Sequence, residues 1–106
     1  MSKSIISNEK QCYVCGSKNN LHYHHILFGK NRKNADKDGL TVYLCYEHHE
    51  GTMGVHGRLG HDLDIKLKQI AERNWLEYYD KTIDDFISRY GRNFLWELVK
   101  HNINNL

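Results

Sequence analysis

Apolar and polar positions divide the chain into two stretches. Up to residue 61, short apolar runs are broken by glycine and asparagine; from 62 onward the apolar residues recur at helical spacing. Residues 1–11 are mostly polar and predict a loosely packed lead-in. Leu21-His22-Tyr23-His24-His25-Ile26-Leu27-Phe28 reads as a short strand, and Leu40-Thr41-Val42-Tyr43-Leu44-Cys45 as a second, both rich in aromatic or β-branched residues. Between them Gly29 to Gly39 is polar and basic and predicts an exposed loop. Gly51, Gly54, Gly57 and Gly60 then punctuate another loop. Asp62-Leu63-Asp64 opens a helix whose apolar positions are Leu63, Leu67, Ile70, Ala71 and Trp75. Its acidic first turn suits the positive end of the helix dipole. Thr82-Ile83-Asp84-Asp85 has the form of a capping box for a helix from Ile83 to Tyr90, which Gly91 would end. Asn93 to His101 fits a strand or a helix equally.

The order strand, loop, strand, histidine-rich loop, helix is that of a ββα unit, so the expected class is α+β. A length of 106 residues fits one domain, with 12–61 as its core and 62–106 as a helical part, and no linker between them. Trp75, Tyr78, Tyr79, Phe86, Tyr90, Phe94 and Trp96 read as core or interface aromatics rather than a base-stacking platform, because they lie away from the cations.

Composition adds a constraint. A chain this short buries a modest share of its surface, so fixing by a metal would help it fold. A net charge of +2 is too mild to identify a nucleic-acid binder, and the placement of charge matters more. No 18-residue apolar run predicts a membrane span, and the N-terminus lacks the apolar stretch of a secretory signal, so a reducing, cytoplasmic setting is expected. Three cysteines, an odd number, then point to metal or reactive thiols rather than disulfides. Of eight histidines, all but His101 fall between positions 22 and 61.

Cys12-Tyr13-Val14-Cys15-Gly16 is a C-x2-C-G knuckle, and Cys45-Tyr46-Glu47-His48 is a C-x2-H pair at the end of the second strand. Together they make a closed Cys3His set suited to structural Zn2+. His49, next in sequence, is an alternative to His48. A redox role for Cys12 and Cys15 fits less well, since no βαβ pattern surrounds them. His24 and His25 are adjacent on a strand, so they face opposite ways and can hold different jobs. His24 and His56, with help from His49, would bind a second ion, leaving His25 as a general base for metal-assisted phosphodiester hydrolysis. Lys30, Arg32 and Lys33 in the following loop, with Arg58, would contact phosphates without reading bases.

These stretches, together with Gly39-Leu40, Leu44-Cys45 and Phe86-x3-Tyr90-Gly91-Arg92-Asn93-Phe94-Leu95, resemble the HNH endonuclease superfamily. More narrowly, the chain is similar to small zinc-binding HNH-like proteins of phages and prophages of Gram-positive bacteria, and more distantly to phage recombination-enhancement nucleases. The resemblance covers nearly the whole chain. It implies a ββα-metal, treble-clef-like core with structural zinc and C-terminal helices. It also implies a DNA endonuclease or nickase in the bacterial host cytoplasm, with a second ion that is Mg2+, Mn2+, Zn2+ or Ni2+. By resemblance His24 and His56 take metal-ligand positions, His25 the general base and His49 the middle position of the motif. The last ligand of that family sits on a helix, whereas His56 lies in a glycine-rich loop, which makes His61 its rival. His48 stands where the family usually has a cysteine. A homodimer, or a recombination partner from phage or host, is the expected company. The alternative is an inactive zinc module that binds DNA or a protein.

Overall fold

The computed structural model describes residues 3–97. In chain order it has strand β1 (Leu21–His25), a 3-10 turn (Gly29–Asn31), helix α1 (Arg32–Asp38), strand β2 (Thr41–Cys45), the one-turn helix α2 (Tyr46–His49), helix α3 (His61–Tyr78) and helix α4 (Ile83–Tyr90). The class is α+β. β1 and β2 pair antiparallel, with Leu21 opposite Cys45 and His25 opposite Thr41.

That register sorts the histidines. Residues opposite one another share a face, so His22 and His24 lie with Leu44 and Val42, and Tyr23 and His25 with Tyr43 and Thr41. Val42 and Leu44 are buried in the core, and His24 is buried with them. On the other face the Tyr23 hydroxyl donates to Thr41 Oγ1 at 3.0 Å, and its ring meets Tyr43 edge-on.

Two expectations are corrected. The stretch from Gly29 to Gly39 is not an open loop: it forms the 3-10 turn and α1, ended by Gly39 in the left-handed region at φ 77°. Apolar periodicity missed this helix because its buried face consists of Ala35 and Asp38, one of them charged. Asp38 is held by four donors: Trp75 Nε1 at 2.8 Å, Arg89 Nε at 2.6 Å and Nη2 at 2.9 Å, and the Tyr90 hydroxyl at 2.5 Å. The carboxylate thus ties α1 to α3 and α4. From residue 3 onward the lead-in is also pinned. Ser4 Oγ donates to the Thr41 carbonyl at 2.6 Å, Ile5 N to the Gly39 carbonyl at 2.9 Å, and Ile5 and Ile6 pack on the core.

α3 buries two faces. Leu63, Leu67, Ala71 and Trp75 form the stripe read from the sequence, while Ile65, Gln69 and Glu72 form a second. Part of the second faces the segment after α4: Gln69 Nε2 donates to the carbonyls of Phe94 and Glu97, and Glu72 Oε1 accepts from Phe94 N at 2.7 Å. Residues 93–97 are therefore a turn moulded to α3, and the rest of the stretch left open as strand or helix lies outside the described residues. The Thr82–Asp85 capping box and the Gly91 stop are present. Among the aromatics, Trp75, Phe86, Tyr90 and Phe94 are core, but Tyr78 and Trp96 are exposed, at 66% and 81%. Among the described residues no helix is long and apolar enough to cross a membrane.

Candidate metal centres

The knuckle closes on itself through Gly16 N to the Cys12 carbonyl at 2.8 Å, with Gly16 at φ 78°. Tyr13 N donates to the Tyr43 carbonyl at 2.9 Å, which holds the knuckle beside β2. β2 delivers Cys45 and α2 lifts His48 one turn further on, so the four side chains converge. Their spacing discriminates between packing and ligation. A Zn2+ tetrahedron with bonds of about 2.3 Å to sulfur and about 2.05 Å to nitrogen has S···S edges of about 3.8 Å and S···N edges of about 3.6 Å. The Cys15 and Cys45 sulfurs lie 3.8 Å apart, and His48 Nδ1 lies 3.6 Å from Cys12 Sγ and 3.3 Å from Cys45 Sγ. The set is compatible with a structural zinc site in which His48 presents Nδ1. His49 is not in this set.

The thiols compete for charge. Burial alone would raise Cys12, but the backbone N–H groups of Cys45, Cys15 and Val14 around its sulfur outweigh that and lower it. Cys45 is pushed up to about 11, first by burial. A dication removes the conflict, because coordination favours thiolate on all three sulfurs.

His24, His49 and His56 form a second group whose ring nitrogens also converge. Each arrives by a different route. His24 comes from the buried face of β1. His49 ends α2. His56 is brought back by the glycine loop, whose backbone lies on α2: Val55 N donates to the His48 carbonyl at 3.0 Å and His56 N to the His49 carbonyl at 2.9 Å. Glycine every third residue is what this needs. Each of Gly54, Gly57 and Gly60 donates its N–H to the carbonyl of the glycine before it. A Cβ on Gly57 would overlap the Gly51 carbonyl oxygen, and one on Gly60 that of Gly54.

The rings of His49 and His56 stand 4.8 Å apart between centroids, and that of His24 is 5.2 Å from His49 and 5.5 Å from His56. His24 is pushed down to about 3, first by burial and then by His49, His56, His25 and Lys68, so it is a neutral imidazole near pH 7. His49 is lowered too, by burial and then by His56 and His22. Neutral imidazole is the ligating form. The buried Nε2 of His24 has no hydrogen-bond partner. A buried polar atom left unpaired is costly, and a metal ion shared with His49 and His56 would satisfy it.

His25 sits elsewhere. Its ring meets Tyr23 edge-on at 5.4 Å, on the face of β1 opposite His24. Its Nε2 is 3.0 Å from Asp36 Oδ1, and Arg32 Nε lies 3.5 Å from its Nδ1. His25 and Asp36 line a surface pocket with Gly29, Lys30, Arg32, Lys33 and Lys37. Of the expected phosphate contacts, Lys30, Arg32 and Lys33 are therefore together, while Arg58 lies apart on the glycine loop, exposed. His61 is the exposed first residue of α3 and joins neither ligand group.

Three residues escaped the sequence reading. Asp36 was hidden in an apparent loop. His22 shares its strand face with His24, a period-two relation that could have marked it. Lys68 Nζ, paired with Asp64 at 2.8 Å, lies 4.5 Å from the ring centre of Phe28, which itself abuts His24 and His56. Only tertiary packing brings that cation to the cluster. Comparison with protein-family models, curated proteins and solved structures gives no match for this chain.

Proposed function

We propose that the chain is a metal-dependent nuclease of the HNH kind, a ββα-metal unit that hydrolyses phosphodiester bonds in DNA. Zinc at Cys12, Cys15, Cys45 and His48 would be structural, and His24, His49 and His56 would hold a second divalent ion, Mg2+, Mn2+, Zn2+ or Ni2+. The observation that carries this reading is the unpartnered, buried Nε2 of His24 among three convergent imidazoles, one residue from a carboxylate-backed His25. The ion, when bound, supplies Lewis-acid stabilisation of phosphate charge.

The chain's own groups supply the rest. Asp36 accepts from His25 Nε2–H, which fixes the tautomer; Nδ1, which accepts from Arg32 Nε at 3.5 Å, would take a proton from water once a bound phosphate draws Arg32 away. Lys30, Arg32, Lys33 and Lys37 surround that ring and bind the phosphates on either side of the scissile bond, with little preference for sequence. Phe28, next to Gly29 of this pocket and in contact with His24 and His56, borders both groups, so a backbone laid across the end of β1 meets each.

The test is plasmid cleavage by the zinc-loaded protein with Mg2+, Mn2+ or Ni2+ added. His25→Ala should lose activity by about 100-fold or more, in line with the worth of a general base, with zinc content and fold unchanged. Cleavage by that variant at the parental rate sinks the mechanism. A second reading, a non-catalytic zinc module that binds DNA or a protein, is favoured by the turn of His25 onto the face opposite His24 and by Arg32 Nε donating to its Nδ1. It predicts salt-sensitive DNA binding or a stable protein complex, with no cleavage under any of these ions.

A further inference from the structure

His22 belongs to neither ligand set described above, yet it makes a close contact with one of the ligands. Its Nδ1 lies 2.8 Å from Nδ1 of His49, the two rings standing nearly perpendicular with centroids 4.9 Å apart. Glu50 Oε2 is 3.9 Å from both nitrogens. His22, His49 and Glu50 converge closely enough to be read as a third set of metal ligands. The distance argues otherwise. Two nitrogens on one tetrahedral ion, with bonds of about 2.05 Å, stand about 3.4 Å apart. A separation of 2.8 Å is that of a hydrogen bond, with one ring donating and the other accepting.

That bond decides how His49 can serve. With Nδ1 committed to His22, the nitrogen left for an ion shared with His24 and His56 is Nε2. An imidazole that ligates through one nitrogen carries its proton on the other, and that N–H takes an acceptor which sets the tautomer and the tilt of the ring. We propose that His22 is this acceptor: a positioning residue that receives the His49 Nδ1–H bond and so holds His49 as an Nε2 ligand of the second ion. The strand period makes the arrangement possible. His22 and His24 rise from one face of β1, two residues apart, and the His49 ring lies against both, with centroids 4.9 Å from His22 and 5.2 Å from His24. This inference rests on the reading of the imidazole group as a metal site.

The experiment uses the full chain, zinc-loaded at its thiolate site, dialysed against Co2+ as the probe. The parent should take up one Co2+ beyond its zinc. His22→Ala should weaken that uptake by about 10- to 100-fold, the usual effect of losing an outer-shell partner, with the zinc retained. His22→Asn places Oδ1 where Nδ1 was and should recover most of the affinity. In the proton NMR spectrum of the Co2+ form, a hyperfine-shifted N–H of His49 should persist in the parent, vanish into solvent exchange in His22→Ala, and return in His22→Asn. Unchanged affinity in His22→Ala overturns the proposal, as does a hyperfine-shifted His22 ring marking it as a direct ligand. If the parent binds no Co2+ beyond its zinc, the metal site itself is refuted and the proposal goes with it; a parent that binds Co2+ while His22→Ala binds it equally well removes the role of His22 alone.

Discussion

Between Cys12 and Gly60, the junctions that set geometry are made by polar atoms: three thiols, a fan of imidazoles, and a glycine loop lying backbone to backbone on α2. Between His61 and Phe94 they are made by volume, with Leu63, Leu67, Ala71, Trp75, Phe86 and Phe94 filling the space between helices, and Asp38 reaching across from α1 as the main polar tie. In and beside its sheet the first region also buries Ile26, Leu27, Leu40, Val42 and Leu44, so it is the knuckle, α2 and the glycine loop that have little else to keep them in shape when their thiols and imidazoles are unsatisfied. The second can hold its form by burial. The candidate ligands thus gather at one end of a shared apolar core, where polar convergence rather than volume sets their positions.

The sharpest way to break that contrast is to withhold the proposed zinc. Structural zinc binding is worth on the order of 10 kcal/mol, so chelation, or Cys45→Ser, should loosen the knuckle and α2 first. Hydrogen exchange should show the amides of Cys12 and Tyr13 losing protection well before those of α3. Equal protection with and without zinc would remove the distinction between the halves. The largest single effect expected in the helical region is smaller. Asp38→Asn leaves Arg89 half-paired and weakens the bonds from Trp75 and Tyr90, and breaking a buried pair costs about 3 kcal/mol where one partner keeps some solvent, as Arg89 does. Denaturant unfolding of the zinc-loaded protein measures it.

His24→Leu should separate function from stability within the ligand region. It removes an unpartnered buried nitrogen, so the chain lacking the second ion should gain about 1 kcal/mol, while uptake of that ion is lost. A lower thermal midpoint together with undiminished uptake would show that His24 is a packing residue. The smallest effect is a pH dependence in the helical region. Burial raises the Glu72 carboxyl above its ordinary 4.5, outweighing the Phe94 N–H and Arg73, which lower it. The folded form then holds its proton longer than the unfolded chain, and its contribution is full below about pH 4.5 and is lost as pH rises through the raised value. Glu72→Gln lacks that loss, so its thermal midpoint should fall less than the parent's over the same rise in pH.

The sequence by itself determined the elements that rest on local rules. The two strands, the helix from 61 or 62, the Thr82 cap and the Gly91 stop all follow from periodicity and from backbone chemistry within a few residues. The thiolate set was legible for the same reason, since C-x2-C and C-x2-H turns aim their ligands locally. Only the tertiary structure decided the rest. α1 is anchored by a charged residue, and no apolar pattern can foretell that Asp38 will find four donors from distant helices. His56, and not His61, reaches the imidazole group because a glycine loop folds onto α2, and that approach depends on backbone atoms rather than on side-chain type. The contacts of His22 and Asp36 likewise exist only as pairings, with His49 on α2 and with His25 across the turn into α1. A hydrogen bond is a relation between two places in space, and one strand of text carries only one of them at a time.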